Sequence, residues 1–386
     1  MRFVKYFFVI VLVFGIFVPA FSRAAEIVPD QISIIKAKVV DIKGSDVSNI
    51  PIYDVKTKTQ TVDAVILEGD KKGEEVTFKN DFIQLKTGDV FFLNYTVSAD
   101  TGQDFFSVED VDRLPVIYFF VALFIVLVLL VGGVQGVRGL ISLAGSFVLI
   151  MYVLLPSILH GYSPILVSIG VSSLIIVLGS YVTHGFNKTT SAAVIGMIGT
   201  VIVTGIMAYV AVHVSEFSGY ASEEAVYLNL NSRGSIDLVG ILIGGIMIGL
   251  LGILYDVAIG QAISVEELHK IAPHIPRITI FKRAMRMGRE HIGALVNTLA
   301  IAYVGASLPL LLLFSTPPVN ISMIVNREIF STEIIRALIG SIGLVLAVPI
   351  VTLLSVYMLI KKEKLNLSKE ELKKEENALS HFHHSH

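Results

Sequence analysis

Residues Leu238–Ala262 read LVGILIGGIMIGLLGILYDVAIGQA, an apolar run that contains a single charged side chain, Asp256. An α-helix rises about 1.5 Å per residue, so about 20 apolar residues cross the roughly 30 Å hydrocarbon core of a bilayer. The run is therefore long enough to span a membrane as a helix. A carboxylate inside such a helix is costly, and its purpose is the main question that the sequence raises.

The composition of the whole chain is that of an integral membrane protein. Of its 386 residues, 54% are hydrophobic and 16% are charged, whereas soluble domains carry roughly 25% charged residues. The formal net charge of -2 argues against a nucleic-acid-binding protein, which needs an excess of Lys and Arg. The chain contains no cysteine, which excludes disulfides, thiolate metal sites and cysteine nucleophiles.

Eight segments are apolar enough, or nearly so, to cross a membrane, and they predict an α-helical polytopic membrane protein. They are Tyr6–Phe21, Pro115–Gly133, Gly139–Ile158, Pro164–Val182, Thr190–His213, Leu238–Ala262, His291–Phe314 and Ala337–Ile360. Arg2 and Lys5 precede the first segment, so residues 1–25 are either a signal peptide or the first transmembrane helix. Residues 115–361 are predicted to form the transmembrane helical bundle.

Lys and Arg beside the spans predict the orientation, because these residues collect on the cytoplasmic side of membrane proteins. They are concentrated in residues 263–290 and directly after Ile360, where the sequence reads KKEK. Both segments are therefore predicted to be cytoplasmic, and both chain termini with them. Residues 263–290 are interpreted as an amphipathic helix on the inner leaflet, interrupted by Pro273 and Pro276.

Residues 26–114 have the composition of a small soluble domain with the periodicity of strands. IKAKVVDIKG alternates, and TVDAVILEGDKKGEEVTF is typical of a hairpin that turns around residues 69–73. About five strands predict an extracytoplasmic all-β, OB-like domain, which we interpret as a binding or docking domain. The charged tail, residues 362–386, ends in a cluster of histidines and is interpreted as solvated, without a metal site.

The glycines of the quoted run form one helical stripe. Gly249, Gly252, Asp256 and Gly260 follow Gly245 at spacings that return to the same helix face. Such small-residue faces are typical of close helix packing in membranes, so the acid is expected to point at protein. Ion or proton passage is the favoured role, because an acid at mid-membrane costs about 2.5–3.5 kcal/mol and usually serves a function. A structural hydrogen bond, or a position near the cytoplasmic interface, is the alternative.

The next predicted span supplies candidate partners for Asp256. Asn297 and Thr298 lie on small-residue faces suited to pack on the glycine stripe, and His291 could titrate near neutral pH. For Asn297 the alternative is a helix-to-helix hydrogen bond, and for His291 it is a merely interfacial position. Gln261, just past Asp256, is expected to form hydrogen bonds at the cytoplasmic end of its helix.

A second small polar face is predicted in the span Thr190–His213. It combines Thr200 and Thr204 with Gly196 and Gly199. We expect both threonine hydroxyls to bond to carbonyl groups of their own helix.

Two motifs, GILYDVAIGQA at residues 252–262 and MGREHIGALVNTLAIAYVGASLPLLL at residues 287–312, follow a signal-like segment and a small external domain. In this combination the chain resembles the YibE/F family of bacterial membrane proteins over essentially its whole length. The resemblance implies a bacterial cytoplasmic membrane protein and says little about activity.

The arrangement is also similar, more weakly, to one half of SecD/SecF and related RND-type proteins, which use transmembrane carboxylates for proton-driven work. That likeness implies that Asp256 is the acid of the fourth span and that Asn297 and Thr298 belong to the polar fifth span. The chain departs from the pattern by an extra hairpin, residues 115–158, and by a much smaller external domain.

Together these features predict a multi-pass transporter of the cytoplasmic membrane, driven by ions or protons that pass Asp256. The alternative is a non-transporting scaffold or accessory protein whose external β-domain binds a partner. The sequence contains no HExxH or GxSxG motif and no paired intramembrane acids, so we expect neither an enzyme nor a cofactor. The expected partners are membrane lipid and either a second copy of the chain or a related membrane subunit.

Overall fold

The computed structural model describes residues 31–50, 55–98, 102–315 and 320–360. The chain divides into two compact units, residues 1–124 and 125–386. The first apolar segment, Tyr6–Phe21, and the tail, residues 362–386, lie outside the described residues. The expectations of a signal peptide and of a solvated tail therefore stay predictions.

The first unit contains a curled antiparallel sheet of five strands. They are β1 (Gln31–Ile50), β2 (Val55–Ile66), β3 (Glu75–Asn80), β4 (Val90–Val97) and β5 (Asp104–Val111), in the order β3-β2-β1-β4-β5. The pairing of β1 with β2 is interrupted by bulges between Val39 and Asp41 and between Ile42 and Gly44. Bulges bend a strand and increase its twist, and the two edge strands, β3 and β5, come into contact.

Alternation of side chains produces the core of this sheet. Ala37, opposite Ile66 of β2 and Phe91 of β4, is buried together with these partners, while intervening residues face outward. The turn between β2 and β3 contains Gly69 and Gly73, both with positive φ, as predicted for the hairpin. The prediction of about five strands in this region is therefore confirmed.

Polar pairs tie the loops of the sheet together. Lys71, in the turn after β2, forms an ion pair with Asp104 of β5, which also accepts a hydrogen bond of 2.9 Å from the Tyr95 hydroxyl. The hydrogen bond from Lys71 lowers the pKa of Asp104, and the same bond raises the pKa of Lys71. Lys36 of β1 pairs with Asp112 at 2.9 Å, just after β5. The Lys71–Asp104 pair is exposed, and pairs of this kind contribute little to stability and help mainly to fix loop geometry.

The remainder of the described chain is helical. The helices are α1 (Leu114–Leu149), α2 (Leu155–Leu159), α3 (Pro164–His184), α4 (Lys188–Val214), α5 (Glu223–Asn231), α6 (Leu238–Ile271), α7 (Arg277–Ala306), α8 (Leu308–Ser315), α9 (Ile321–Val325) and α10 (Glu328–Leu359). A π-helical turn, Ile150–Leu154, joins α1 to α2. The starts of α4 and α6 are capped by Asn187 and Asp237, whose side chains accept hydrogen bonds from backbone amides of the first turn.

Five helical stretches of the described chain are long and apolar enough to cross a membrane. They are Leu114–Leu159, α3, α4, α6 and α10. The two predicted spans at 115–133 and 139–158 are joined in the first stretch, which bends at Gly133, where φ is 51°. The predicted span His291–Phe314 is divided between α7 and α8. The structure thus supports a polytopic helical membrane protein without reproducing the predicted count of eight spans.

Residues 263–290, for which an interrupted amphipathic helix is predicted, are mostly helical and pack on the bundle. Helix α6 continues to Ile271, and α7 begins at Arg277, so that the break falls at the two prolines as predicted. Ile280 and Ala284 of α7 are buried against Val356 of α10. These apolar contacts hold the first half of α7 against its neighbours, and the predicted position of the segment on the inner leaflet stays a prediction.

Helices α4, α6 and α10 pack closely on one another, with α3 against α4 and α6 and with α7 against α6 and α10. The buried residues that they share include Met197, Ile243, Met247, Leu254, Leu344 and Val351. The Thr200 hydroxyl donates to the Gly196 carbonyl oxygen at 2.8 Å, as predicted. The Thr204 hydroxyl is buried and has no hydrogen-bond partner among the described residues, so the same prediction is not confirmed there.

A close approach of α4 to α10 depends on Gly196. A Cβ atom at this position would lie 2.6 Å from Cγ2 and 3.1 Å from Cα of Val351, distances at which a backbone or side chain must move. Gly199, one turn further along α4, has no atom within 4 Å of the equivalent point. The two glycines therefore form a matched pair for testing the packing.

We expect Gly196→Ala to lower the free energy of unfolding by about 1–3 kcal/mol, because it overpacks the contact between α4 and α10. Thermal unfolding of the purified protein in detergent measures this change. Gly199→Ala is the control and should leave the melting temperature close to that of the wild type. Equal melting temperatures for the two variants would contradict the packing described here.

Candidate functional site

The glycine stripe of α6 lies on an exposed face of the described chain. Gly245, Gly249, Gly252 and Gly260 are exposed, and so is Asp256, in agreement with their common position on the helix. Cβ atoms at Gly245, Gly252 and Gly260 would have no atom within 4 Å. These glycines thus have no neighbouring helix packed closely on them within the described chain.

Two aromatic residues mark the flanks of this stripe. Tyr255, the neighbour of Asp256, donates a hydrogen bond of 3.2 Å to the Gly179 carbonyl oxygen of α3, and its ring lies 6.0 Å from that of His184. On the other flank, the Tyr303 hydroxyl of α7 would lie 3.7 Å from a Cβ atom at Gly249. The stripe is therefore the floor of an open groove between α3 and α7.

Asp256 forms no hydrogen bond and no ion pair with any described residue. The sides of α6 turned away from the groove are filled with apolar contacts, such as those of Met247 with α4 and of Leu250 with α10. An acid in this position has to be met by water, by another protein chain or by lipid headgroups. The geometry leaves the carboxyl group free to bind and release a proton or a cation.

The α7 candidates are also exposed and form no hydrogen bond or ion pair with Asp256. His291, Asn297 and Thr298 all lie on exposed positions of α7, and the Thr298 hydroxyl donates to the Ala294 carbonyl oxygen of its own helix at 2.9 Å. The face of α7 that packs on the bundle carries Leu299 instead, which is buried. The polar face of α7 and the glycine stripe of α6 are therefore not packed on each other in the described chain.

Gln261 joins three helices in the interior. It is buried, and its Nε2 atom donates to the Ala284 carbonyl oxygen of α7 and to the Thr352 hydroxyl of α10, both at 2.8 Å. Gly288 of α7 faces the same amide so closely that a Cβ atom there would lie 3.0 Å from Oε1. The expected hydrogen bonding of Gln261 is thus present, and it serves packing between helices.

A polar cavity that the sequence reasoning missed lies between α3, α4 and α6. It has a volume of about 210 Å³ and is lined by His184, Asn187, Thr189, Thr190, Ile259, Ala262, Ile263 and Glu266. The Thr189 hydroxyl donates to Glu266 Oε2 at 2.6 Å, and Lys270 forms an ion pair with the same carboxylate at 2.9 Å. Glu266 follows Asp256 on α6 by about 15 Å along the helix axis.

Glu266 is visible in the sequence as an acid soon after the apolar span, but the predicted span ended before this residue. Ending the helix at Ala262 made Glu266 part of a loop, whereas α6 continues through it to Ile271. Within the described residues no group of three or more His, Asp or Glu side chains could hold a metal ion. The described polar groups near α6 are suited to proton transfer and hydrogen bonding.

Asp256 and Gln261 should respond differently to substitution, because only the second has partners in the described chain. Gln261→Leu should lower the free energy of unfolding by roughly 1–3 kcal/mol, since it removes two buried hydrogen bonds of about 0.5–1.5 kcal/mol each. Asp256→Asn should leave thermal unfolding in detergent unchanged or slightly improved. A strong destabilisation by Asp256→Asn would reveal a structural partner for this acid.

A comparison with protein-family models matches residues 120–361 of the chain to the family described as YibE/F-like protein. No curated protein and no solved structure matches the chain. The matched residues contain both motifs that carry the resemblance, residues 252–262 of α6 and 287–312 of α7 and α8, and they exceed half of the chain. This membrane protein therefore belongs to the YibE/F-like family.

Proposed function

We propose that the protein is an ion- or proton-coupled transporter of the bacterial cytoplasmic membrane and that Asp256 lies in its transport pathway. The observation that carries the proposal is the position of this acid. It stands in an apolar spanning helix, exposed on a glycine stripe, without a hydrogen-bond or ion-pair partner among the described residues. A carboxyl group with those surroundings is available to a mobile ion, whereas a structural acid would be bonded to its neighbours.

A second copy of the chain completes the pathway in this proposal. An acid that faced acyl chains would cost about 2.5–3.5 kcal/mol, and that cost is removed when protein and water cover the groove. The glycines of α6 allow another helix to approach closely, which is the usual role of small residues in membranes. The exposed Asn297 and Thr298 of α7 would then line the covered groove beside Asp256. A related membrane subunit with a similar helix would serve in the same way.

The proposed orientation places both chain termini in the cytoplasm, with eight spans when the segment Tyr6–Phe21 is retained. The bases at the start of α7 support it, because Lys and Arg collect on the cytoplasmic side. The polar cavity around His184 and Glu266 then lies at the cytoplasmic end of α6. We assign it as the inner mouth of the pathway, since it offers polar groups between Asp256 and the cytoplasm.

The first unit is proposed to be an extracytoplasmic OB-like domain. The order β3-β2-β1-β4-β5 supports this assignment, as do the long bulged strand β1 and the contact between the edge strands, because an OB-fold is a small, partly open five-stranded barrel. Its role in a transporter would be to dock a partner or to collect a substrate outside the membrane.

Proton flux into proteoliposomes tests the role of Asp256. We expect Asp256→Asn to reduce the initial flux, followed by a pH-sensitive dye under an imposed gradient, to the leak of protein-free vesicles. The amide keeps the shape of the side chain but cannot exchange a proton. Glu267→Gln is the matched control, because Glu267 is an exposed acid of the same helix whose ion pair within the described part of the chain is with Lys270. Equal fluxes for the wild type and Asp256→Asn would refute the proposed role.

Cysteine cross-linking tests whether a second copy covers the groove. The chain contains no cysteine, so Gly252→Cys introduces a unique thiol at the floor of the groove. A disulfide forms only when the two Cα atoms come within about 7 Å, so we expect a covalent dimer in membranes under mild oxidation. Ile206→Cys, at an exposed position of α4, should stay monomeric. Equal yields from the two variants, or none from Gly252→Cys, would contradict the proposed interface.

The second candidate function is a scaffold that binds a partner through the β-domain. It is favoured by large apolar side chains on the surface of that domain, where Phe82 is 72% exposed and Ile34 is 58% exposed. In this case deletion of residues 26–114 would abolish activity in cells, while Asp256→Asn would have no effect. The transporter proposal requires the opposite result for Asp256→Asn.

A further inference from the structure

A groove beside α7 and α10 lies apart from the glycine stripe and combines an apolar wall with one cation. Its volume is about 350 Å³, and it is lined by Arg277, Ile278, Phe281, Leu353, Val356 and Tyr357. Five of these six side chains are apolar or aromatic. None of the six is acidic, so the guanidinium group of Arg277 determines the charge of the groove.

The side chain of Arg277 is held in place by its neighbours, but not all of its N–H groups form hydrogen bonds. Its Nη2 atom donates to the Ile360 carbonyl oxygen at the end of α10, and its guanidinium lies 5.9 Å from the centre of the Tyr357 ring. Its Nε atom is buried and has no hydrogen-bond partner among the described residues. A guanidinium has five N–H donors, of which the Ile360 carbonyl oxygen occupies one, and its remaining Nη donors are suited to phosphate oxygens, which guanidinium groups bind especially well.

The surrounding charge is also positive. From Arg277 to Arg289, α7 carries Lys282, Arg283 and Arg286 and no acidic residue, and Lys361 and Lys362 directly follow Ile360 in the sequence. Basic pockets between transmembrane helices bind the headgroups of anionic lipids, and the juxtamembrane bases add to that attraction. The groove thus offers a phosphate-binding cation at one end of an apolar surface.

We propose that this groove binds one anionic glycerophospholipid, with an acyl chain along Ile278, Phe281 and Leu353 and with the phosphate accepting hydrogen bonds from Arg277. The apolar lining selects a lipid over free phosphate, because a phosphate ion gains nothing from these side chains. The negative headgroup selects an anionic lipid over a zwitterionic one. Arg277 lies at the junction of α7 with the end of α10, so the bound lipid would brace that junction.

Native mass spectrometry of the delipidated protein in detergent tests the proposal, with phosphatidylglycerol and phosphatidylcholine as probes. Both lipids offer a phosphate to Arg277, but only phosphatidylcholine adds a quaternary ammonium, which the guanidinium group repels. The wild type should therefore bind one phosphatidylglycerol about fivefold more tightly than phosphatidylcholine, which corresponds to the roughly 1 kcal/mol that one basic residue contributes to the binding of anionic lipid. Arg277→Gln should lose that preference. Lys188→Gln is the matched control, because it removes one exposed positive charge at the start of α4, away from the groove and from the basic residues of α7, and it should retain the preference.

A second variant separates lipid binding from the structural role of Arg277. Leu353→Trp fills the groove without changing Arg277 and should weaken phosphatidylglycerol binding, whereas Leu338→Trp, at another exposed position of α10, should not. Equal retention of the two lipids by the wild type would overturn the proposal. So would a Leu353→Trp variant that binds phosphatidylglycerol as the wild type does, or complete displacement of the lipid by inorganic phosphate.

Discussion

A carboxyl group in an apolar helix needs polar surroundings, and Asp256 of α6 has no polar partner from the described chain on the face that carries it. Its other sides are occupied by α3, α4, α7 and α10, whose contacts with α6 are largely apolar. The groove side carries small residues and Asp256, and the described chain supplies no partner there. The cost of burying a carboxyl group in lipid therefore limits what can lie against this face of α6 in a membrane. The surroundings of this acid must contain water, lipid headgroups or another polypeptide.

The apolar segments allowed most of the helical bundle to be predicted, because a spanning helix has to be long and apolar whatever it packs against. Helices α3, α4, α6 and α10 all overlap predicted spans. The strand content of the first unit was predictable for a similar reason, since alternation at Ala37 and Val39 separates a buried from an exposed face. Positions where helices end or merge were harder to predict. The helix bends at Gly133 and then continues through Gln135 and Arg138, where the sequence predicted a break between two spans. The polar turns of α6 after Ala262 resemble a loop in composition.

The faces of the helices could be recognised from the sequence, but their neighbours could not. The periodicity placed Asp256 with Gly252 and Gly260 correctly, yet glycine and leucine faces can both pack in a membrane, where no hydrophobic effect distinguishes protein from lipid. Hydrogen bonds such as those of Gln261 depend on the crossing of α6, α7 and α10, which involves residues far apart in the chain. The cavity at Glu266 and the groove at Arg277 depend on the same long-range packing, which explains why sequence reasoning did not find them.

The side-chain amide of Gln261, which joins α6, α7 and α10, limits how far α6 can move and therefore how far Asp256 can. Gln261 lies little more than one turn from Asp256, and its Nε2 atom is bonded to α7 and α10 at once. A rotation of α6 large enough to turn the carboxyl group from one side of the membrane barrier to the other would break both bonds. In the transporter proposed above, alternating access would therefore come from elements that slide or tilt across α6, not from rotation of α6 itself. Asp256 would then keep its position while the elements around it move.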